Sequence, residues 1–391
     1  MRSLSFITLA AAICVASAAI AAPAYHVDAL PAFGGARNQG NSINDAGVVG
    51  GFSTRPGDLH RHATVWAADG AHDLGTLGGP NSSIAWPQKN LHGRYVGISQ
   101  TATPEPLGEN WSCSAFFQVD NLGYTCRGFV YEAGHMRALP TLGGNNGYAT
   151  DANNRGAIVG WAETAVHDPT CEGAGPGKSG QVLQFLPVVY GPGETAIHAL
   201  PLLPGDSSGA AVAVNDQGEV VGISGACDQA VGRYTAAHAV LWNKDGSVVD
   251  IGAGALTAPF WNTPVAINNN GDVAGFAGDP SDPTAGITHA FVWTRSGGVR
   301  FLNTASDDNS TATGINDAGQ VVGYFVAGDG SLHGFVWDTE HGLQDLNAPG
   351  ETDYTGVIVL ANDINNAGEI TGRSATDANG VRWALRITPV P

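Results

Sequence analysis

The residues that could carry acid–base chemistry in this chain are Asp58, His60 and Glu109. Asp58 and His60 are close together in the sequence, and Glu109 lies in a later, longer loop. A carboxylate within hydrogen-bonding reach of its partner can act as a general acid or base, as the hydrolysis or lyase cleavage of a polysaccharide requires. We therefore name these three as candidate catalytic residues, although such residues are ordinary on any protein surface.

A second group of residues has the chemistry of a sugar-binding cleft. These residues surround an irregular turn and extend into the loop after it: Trp86, Lys89, His92, Arg94 and Trp111. Aromatic rings stack on the apolar faces of sugars, and a few polar groups fix the orientation of the ligand. We predict that they bind a glycan or a protein; the alternative is that the rings pack beneath the loop. Further aromatic residues outside the repeat pattern are Trp161, Phe260 and Trp261.

Four histidines recur at one position of a repeated unit: His62, His238, His289 and His333. A residue that recurs in each unit is explained more simply by a structural role than by a shared metal ion. Three of these units also carry an aspartate in a turn, namely Asp45, Asp216 and Asp317, which predicts a histidine–aspartate hydrogen bond within the unit. We predict no metal site and no cofactor. Calcium is a possible partner, but the sequence lacks the ligand spacing of a calcium-binding loop that would support it.

Four cysteines follow the first residues of the chain: Cys113, Cys126, Cys171 and Cys227. An even number of cysteines in an exported chain predicts two disulfides, for which three connectivities exist. A zinc site is the less favoured alternative because no close Cys-x-x-Cys pair is present. We favour Cys113–Cys126 as a local link and Cys171–Cys227 as a link between neighbouring units.

The first residues have the features of a secretory signal peptide. Arg2 precedes an Ala-rich apolar stretch that ends in Ala19–Ile20–Ala21, which predicts a signal peptide over residues 1–21. No later apolar run is long enough to span a bilayer. We expect a secreted or periplasmic protein without membrane insertion.

The composition excludes one class of partner and favours one class of fold. The chain has 35 acidic and 17 basic residues and a formal net charge of −18, whereas binding to nucleic acid requires basic patches. Charged residues are only 13% of the chain, and there are 55 glycines. Few charged residues together with many glycines favour tightly turned β structure over helices. We expect a monomer that binds no nucleic acid.

The elements that must position these residues form a repeat. Seven times the chain shows an apolar strand, an Asn-rich turn closed by Gly, a strand ending in Gly, an aromatic strand, and a fourth strand with a Gly-Gly stop. The glycines that close successive turns are 46 to 63 residues apart. Four short strands in about 50 residues are typical of one β-propeller blade. We predict an all-β, seven-bladed β-propeller over residues 22–391.

The two ends of the repeated region predict how the ring closes. Residues 26–35 match a fourth strand, and the last unit stops after its third strand at 382–387. Pairing the two fragments completes the seventh blade and leaves no free sheet edge. Units two to four are lengthened by insertions at about 100–126, 163–181 and 225–237. All three follow the second strand of their unit, so we expect them on one rim of the ring.

The repeated phrase resembles the HAF-type probable extracellular repeat proteins of bacteria. The resemblance rests on His289–Ala290–Phe291–Val292–Trp293, on the turns at 43–47 and 315–319, and on residues 73–79, and it covers nearly all of the mature chain. The third unit departs most, because Leu183–Gln184–Phe185–Leu186 replaces the strand that begins with histidine. The resemblance implies an exported, propeller-like repeat protein with no generally assigned chemistry.

Three functions remain open at this point. The first is a non-catalytic propeller that binds a glycan or protein at the rim bearing the insertions. The second is an extracellular polysaccharide hydrolase or lyase with its site in the central funnel, and the third is a structural protein of the envelope or matrix.

Overall fold

The computed structural model of the chain describes residues 24–109, 117, 123–171, 180–194, 196–227, 236–258, 260–282, 286–302 and 309–390. The predicted signal peptide lies outside these residues. The strands β1 to β28 form seven antiparallel sheets of four strands each. These sheets are the blades of a β-propeller, which confirms the predicted fold.

The first strands of the blades face the centre of the ring, where those of blades 3 to 7 and blade 1 contact one another in turn. Blades 1 and 2 consist of β2 Asn38–Ile43, β3 Val49–Thr54, β4 Arg61–Ala67, β5 Gly70–Asp73, β6 Gly78–Ser83, β7 Tyr95–Pro104, β8 Tyr124–Glu132 and β9 His135–Ala138. Blades 3 and 4 consist of β10 Gly143–Ala152, β11 Ile158–His167, β12 Leu183–Tyr190, β13 Ile197–Ala199, β14 Ser208–Val214, β15 Val220–Gly225, β16 His238–Trp242 and β17 Val248–Asp250. A short 3₁₀ turn, Pro192–Glu194, precedes β13.

The remaining blades follow the same order. Blades 5 and 6 consist of β18 Thr263–Ile267, β19 Val273–Gly278, β20 Thr288–Thr294, β21 Gly298–Phe301, β22 Ser310–Ile315, β23 Val321–Val326, β24 Leu332–Asp338 and β25 Gly342–Asp345. Blade 7 consists of β26 Ile358–Ile364, β27 Ile370–Ser374, β28 Ala384–Pro389 and the N-terminal β1 Tyr25–Ala29.

The ring closes as the sequence predicts. Strand β1 pairs antiparallel with β28, from Tyr25 opposite Pro389 to Ala29 opposite Leu385. Tyr25 and Val27 also pack against the apolar core of blade 7. The N-terminal strand therefore covers the outer edge of β28, which would otherwise expose unpaired backbone groups.

The two ends of the ring carry different loops. We call the end with the turns between first and second strands the Asn rim, and the end with the loops between second and third strands the insertion rim. The predicted Gly-Gly stop of the fourth strand is wrong, because Gly78 and Gly79 begin β6 of the next blade. A Cβ atom on Gly79 would lie 2.6 Å from the carbonyl oxygen of Thr101, so the close approach of β7 requires glycine there.

A closed ring of hydrogen bonds joins the seven blades at the Asn rim. In each blade the side-chain amide of one turn asparagine donates to the backbone oxygen of its counterpart in the next blade, at 2.7–3.1 Å. The seven residues are Asn44, Asn90, Asn153, Asn215, Asn268, Asn316 and Asn365, all buried. The last of them donates back to the first. The repeated Asn therefore specifies the scaffold rather than a ligand site.

Candidate functional site

The recurring histidines each lie beside an aspartate of their own blade, but the prediction named the wrong aspartates. The pairs are His62–Asp73 at 2.8 Å, His238–Asp250 at 3.4 Å, His289–Asp279 at 3.2 Å and His333–Asp345 at 2.8 Å. The turn aspartates Asp45, Asp216 and Asp317 instead accept hydrogen bonds from the turn of the preceding blade. The reason is topological, because the turns lie at the Asn rim and the histidines begin third strands at the opposite rim.

The irregular turn of blade 2 makes contacts between blades. The Nζ atom of Lys89 donates to the buried Asp363 at 2.5 Å and thereby links blade 2 to blade 7. The guanidinium of Arg94 pairs with Glu132 at 3.2 Å and Glu194 at 3.3 Å. These charged groups, predicted to bind ligand, are thus partnered within the protein.

The other predicted ligand-binding residues have separate surroundings. A ring nitrogen of His92 lies 3.1 Å from the backbone oxygen of Asn154 in the next blade. Trp86 packs on an apolar cluster that includes Phe117 and Tyr148, which corresponds to the packing alternative. Trp111 lies outside the described residues.

The candidate catalytic residues bond to different blades. Asp58 accepts hydrogen bonds from the backbone of Ala36 and the hydroxyl of Thr54, both at 2.6 Å, within blade 1. Burial raises the pKa of Asp58, but these bonds and the charge of Arg37 outweigh it, so this pKa lies below its ordinary value. The backbone oxygen of His60 accepts from the amide of Arg55 in the same loop. Asp58 therefore links the loop between β3 and β4 to the segment before β2.

Glu109 belongs to a buried carboxylate cluster between blades 2 and 3. Its Oε1 atom accepts from the backbone amides of Val182 at 2.8 Å and Leu183 at 2.6 Å, and the side chain is only 3% exposed. Burial raises its pKa from 4.5 to about 7, and the charge of Glu163 contributes. The side-chain amide of Gln181 donates to both carboxylates. Glu109 thus fastens the insertion of blade 2 onto blade 3.

Ser207 lies in a sequence pattern that hydrolase nucleophiles share. Residues 205–209 read Gly-Asp-Ser-Ser-Gly and match the Gly-x-Ser-x-Gly pattern of hydrolase nucleophiles, which requires a turn between a strand and a helix. Here the pattern runs directly into strand β14, which begins at Ser208. The hydroxyl of Ser207 lies 3.2 Å from that of Thr170. The structure therefore gives Ser207 no nucleophile elbow.

A disulfide joins the insertions of blades 3 and 4. Cys171 and Cys227 are bonded with their Cα atoms 4.8 Å apart, as predicted. Cys126 is also disulfide-bonded, and its predicted partner Cys113 lies outside the described residues. The Cys171–Cys227 bond is typical of proteins from oxidising compartments. No helix among the described residues is long and apolar enough to cross a membrane.

One side-chain position divides the insertion rim into a covered half and an open half. It follows the glycine of each second strand, and we call its seven members the register ring: Phe52, Ile98, Trp161, Ile223, Phe276, Tyr324 and Arg373. In blades 2 to 4 these side chains are buried in a cluster with Phe117 and Cys227 of the insertions. In blade 1 the guanidinium of Arg61 lies 4.4 Å from the ring centre of Phe52.

The open half of the register ring holds an aromatic cleft between blades 5 and 6. Phe276, Tyr324 and Trp261 line a cavity of about 310 Å³. All three rings are half-buried, and the centres of the Trp261 and Phe276 rings are 6.3 Å apart. A pocket of this size with aromatic walls is typical of small-molecule sites.

Hydroxyl and amide groups complete the wall of the aromatic cleft. Thr288, Asn309 and Thr311 line it together with the aromatic rings. The Thr288 hydroxyl donates to the Asn309 side-chain oxygen at 3.0 Å, and the Asn309 amide donates to the Gly286 backbone oxygen at 2.9 Å. These bonds fix the polar groups in place. None of the described residues that line the cleft is acidic or a histidine.

The backbone at Trp261 is strained. Its φ of 62° lies in the left-handed region, which is rare for a bulky residue. The adjacent Asn262 is 2% exposed, and its side-chain amide donates to the backbone oxygens of Ala237 and Ala258, both at 2.8 Å. A strained residue held by buried hydrogen bonds is a frequent feature of functional sites. The sequence singles out Trp261 as a non-repeated aromatic, but it gives no sign of Phe276 or Tyr324 as neighbours.

Solved structures that resemble this chain include a β-propeller domain. Puromycin hydrolase aligns over 88% of this chain and 52% of its own length, with a TM-score of 0.51 and 14% identity. The β-propeller domain of the trilobed protease from Pyrococcus furiosus, which has an open velcro topology, aligns over 90% and 93% of the two chains, with a TM-score of 0.51 and 11% identity. This chain thus spans about half the length of puromycin hydrolase. No protein-family model and no curated protein matches the sequence. At these identities the similarity establishes the fold alone.

Proposed function

We propose that this protein is an exported, non-catalytic propeller that binds a glycan in the aromatic cleft at the insertion rim. The observation that carries the proposal is the 310 Å³ cavity walled by Trp261, Phe276 and Tyr324. Aromatic rings offer a sugar apolar stacking surfaces. The hydroxyl and amide groups of Thr288, Thr311 and Asn309 supply hydrogen bonds at the cleft edge.

Binding without turnover is supported by where the acidic residues lie. Glu109 and Glu163 are buried and accept hydrogen bonds from protein amides, and Asp58 bonds within blade 1. General acid–base catalysis requires such a group within hydrogen-bonding reach of the reacting atoms. The cleft lining within the described residues supplies no carboxyl or imidazole group.

The alternative hypothesis, a polysaccharide hydrolase or lyase, is supported by one observation. The pKa of Glu109 is raised to about 7, as a general acid at neutral pH requires. A polysaccharide hydrolase or lyase would then release reducing ends or unsaturated products, and Glu109→Gln would abolish that release. The absence of turnover on every glycan that binds would refute this alternative.

A glycan array probed with the wild-type protein and Trp261→Ala tests the proposal. We expect the wild type to bind one class of glycan and Trp261→Ala to lose at least about tenfold in affinity, which is ~1.4 kcal/mol. Trp86→Ala is the comparison variant, because Trp86 packs beneath the insertions rather than in the cleft. Circular dichroism establishes that both variants are folded. Binding that survives Trp261→Ala but not Trp86→Ala would contradict the location, and binding to proteins alone would contradict the ligand class.

A further inference from the structure

The blade 7 member of the register ring differs in chemistry from the others. In blades 5 and 6 the position after the second-strand glycine is aromatic, with Phe276 opposite Thr263 and Tyr324 opposite Thr311. In blade 7 the same position is Arg373, opposite Leu360. The open half of the register ring therefore consists of two aromatic side chains, in blades 5 and 6, and one guanidinium, in blade 7.

Arg373 has no carboxylate partner among the described residues. Its side chain is half-buried, and its Nε atom is fully buried without a hydrogen-bond partner. Three other partly buried cations are paired, Lys89 with Asp363, Arg94 with Glu132 and Arg386 with Glu369. Arg127 is also partly buried and donates to the backbone oxygen of Asn145 at 3.0 Å. A partly buried cation without a counter-ion is costly to the free protein. In a chain of net charge −18, Arg373 is thus a guanidinium with no carboxylate partner among the described residues, in the blade next to the aromatic cleft.

The surroundings of Arg373 add positive charge. Burial lowers the pKa of Arg373, and the like charge of Arg382 contributes, whereas the neighbouring Tyr324 opposes the shift. The backbone of Arg382 forms a bridge with Arg37 of blade 1. Among the described residues, the side chain of Arg382 donates to the hydroxyl of Thr376, at 3.1 Å. A ligand anion at Arg373 would therefore also meet the field of Arg382.

We propose that the glycan bound in the aromatic cleft is anionic, and that Arg373 receives its carboxylate or sulfate group. This inference rests on the proposed glycan-binding function and specifies its ligand class. Tyr324 connects the two features, because it lines the cleft and occupies in blade 6 the position that Arg373 occupies in the neighbouring blade 7. Guanidinium groups match the planar carboxylate and the sulfate with paired hydrogen bonds. The sugar ring would stack in the cleft while its acidic substituent points toward blade 7.

A matched set of oligosaccharides tests the charge assignment. β-1,4-linked glucuronan and cello-oligosaccharides share ring and linkage and differ only in a carboxylate at C6, and sulfated cello-oligosaccharides carry the alternative anion. We expect calorimetry to show at least tenfold tighter binding of one anionic form than of the neutral form. Arg373→Gln should remove this preference while neutral binding persists, and Arg373→Lys should restore part of it.

Arg155→Gln is the control, because Arg155 is exposed in a turn at the Asn rim and its loss changes the net charge equally. This variant should keep the wild-type preference. Arg373→Gln should also keep or raise the wild-type melting temperature, because it removes a partly buried charge, whereas a structural role would lower it. Equal wild-type binding of anionic and neutral forms, or an unchanged preference in Arg373→Gln, would overturn the charge assignment alone. Failure of the wild type to bind any glycan of an array would overturn the proposed function and this inference with it.

Discussion

The closed ring of asparagine hydrogen bonds at the Asn rim predicts a loss of stability whose size follows from the number of bonds removed. Asn268 is 3% exposed, and its side-chain amide donates to the backbone oxygen of Asn316 in the next blade at 3.0 Å. Its side-chain oxygen accepts from the backbone amides of Asn270 at 3.0 Å and Asp272 at 2.9 Å. Asn268→Ala leaves all three backbone groups without these partners. At about 1 kcal/mol for each bond, we expect a loss of about 3 kcal/mol in the free energy of unfolding.

Urea unfolding measures this loss, and two variants make it specific. Asn268→Asp keeps the acceptor oxygen and the closed turn but loses the bond between blades, so we expect at least about a third of the Ala effect, or about 1 kcal/mol. Asn379→Ala removes an exposed asparagine from a surface turn and should change stability by less than about 0.5 kcal/mol. The unfolding slopes should agree among the variants, so that midpoints report stability. If Asn268→Ala costs no more than Asn379→Ala, the ring of hydrogen bonds does not hold the blades together.

Two further predictions concern the insertions. Replacing Cys171 and Cys227 with serine opens a loop of sequence separation 56 and should lower the free energy of unfolding by about 4 kcal/mol in the chain-entropy account; urea midpoints equal to those of the wild type would contradict the cross-link between blades. The pKa of Glu109 is raised in the folded state from 4.5 to about 7, so the folded protein binds the proton more tightly and stability falls as pH rises through this window. Glu109→Gln should remove up to about 3 kcal/mol of this fall, seen in melting temperatures between pH 5 and 8. Burial also raises the pKa of Asp151 to about 7, so part of the fall in stability with pH should remain in Glu109→Gln. If the variant loses stability with pH as steeply as the wild type, the assignment to Glu109 is wrong.

The fold could be predicted because local signals agree along the whole chain. Each Asn-rich turn needs a left-handed residue, and the glycine that closes it supplies one, as Gly319 does with a φ of 78°. Each complete unit has four strands, but the last unit has three and the N-terminal segment has one without partners of its own. The two fragments together therefore make one complete blade. The Cys171–Cys227 link follows in the same way, since both insertions occupy one loop class on neighbouring blades.

The candidate site could not be predicted because it depends on contacts between distant parts of the chain. Lys89 stands out in the sequence as a charge in an apolar turn position, but its partner Asp363 is 274 residues away. All members of the register ring occupy one sequence position, and the insertions cover those of blades 2 to 4. Trp161 and Phe276 occupy the same position, yet the first is buried in the cluster with the insertions and the second lines the cleft.

The central claim is that ligand binding occurs in the aromatic cleft of blades 5 and 6. Hydrogen–deuterium exchange with and without a bound oligosaccharide tests it most directly. We predict slower exchange in β23 (Val321–Val326) and around Trp261, with no change in β7 (Tyr95–Pro104) before the insertion of blade 2. Slower exchange in β7 and β11 (Ile158–His167), with none in β23, would place the ligand on the covered half of the rim and contradict the account.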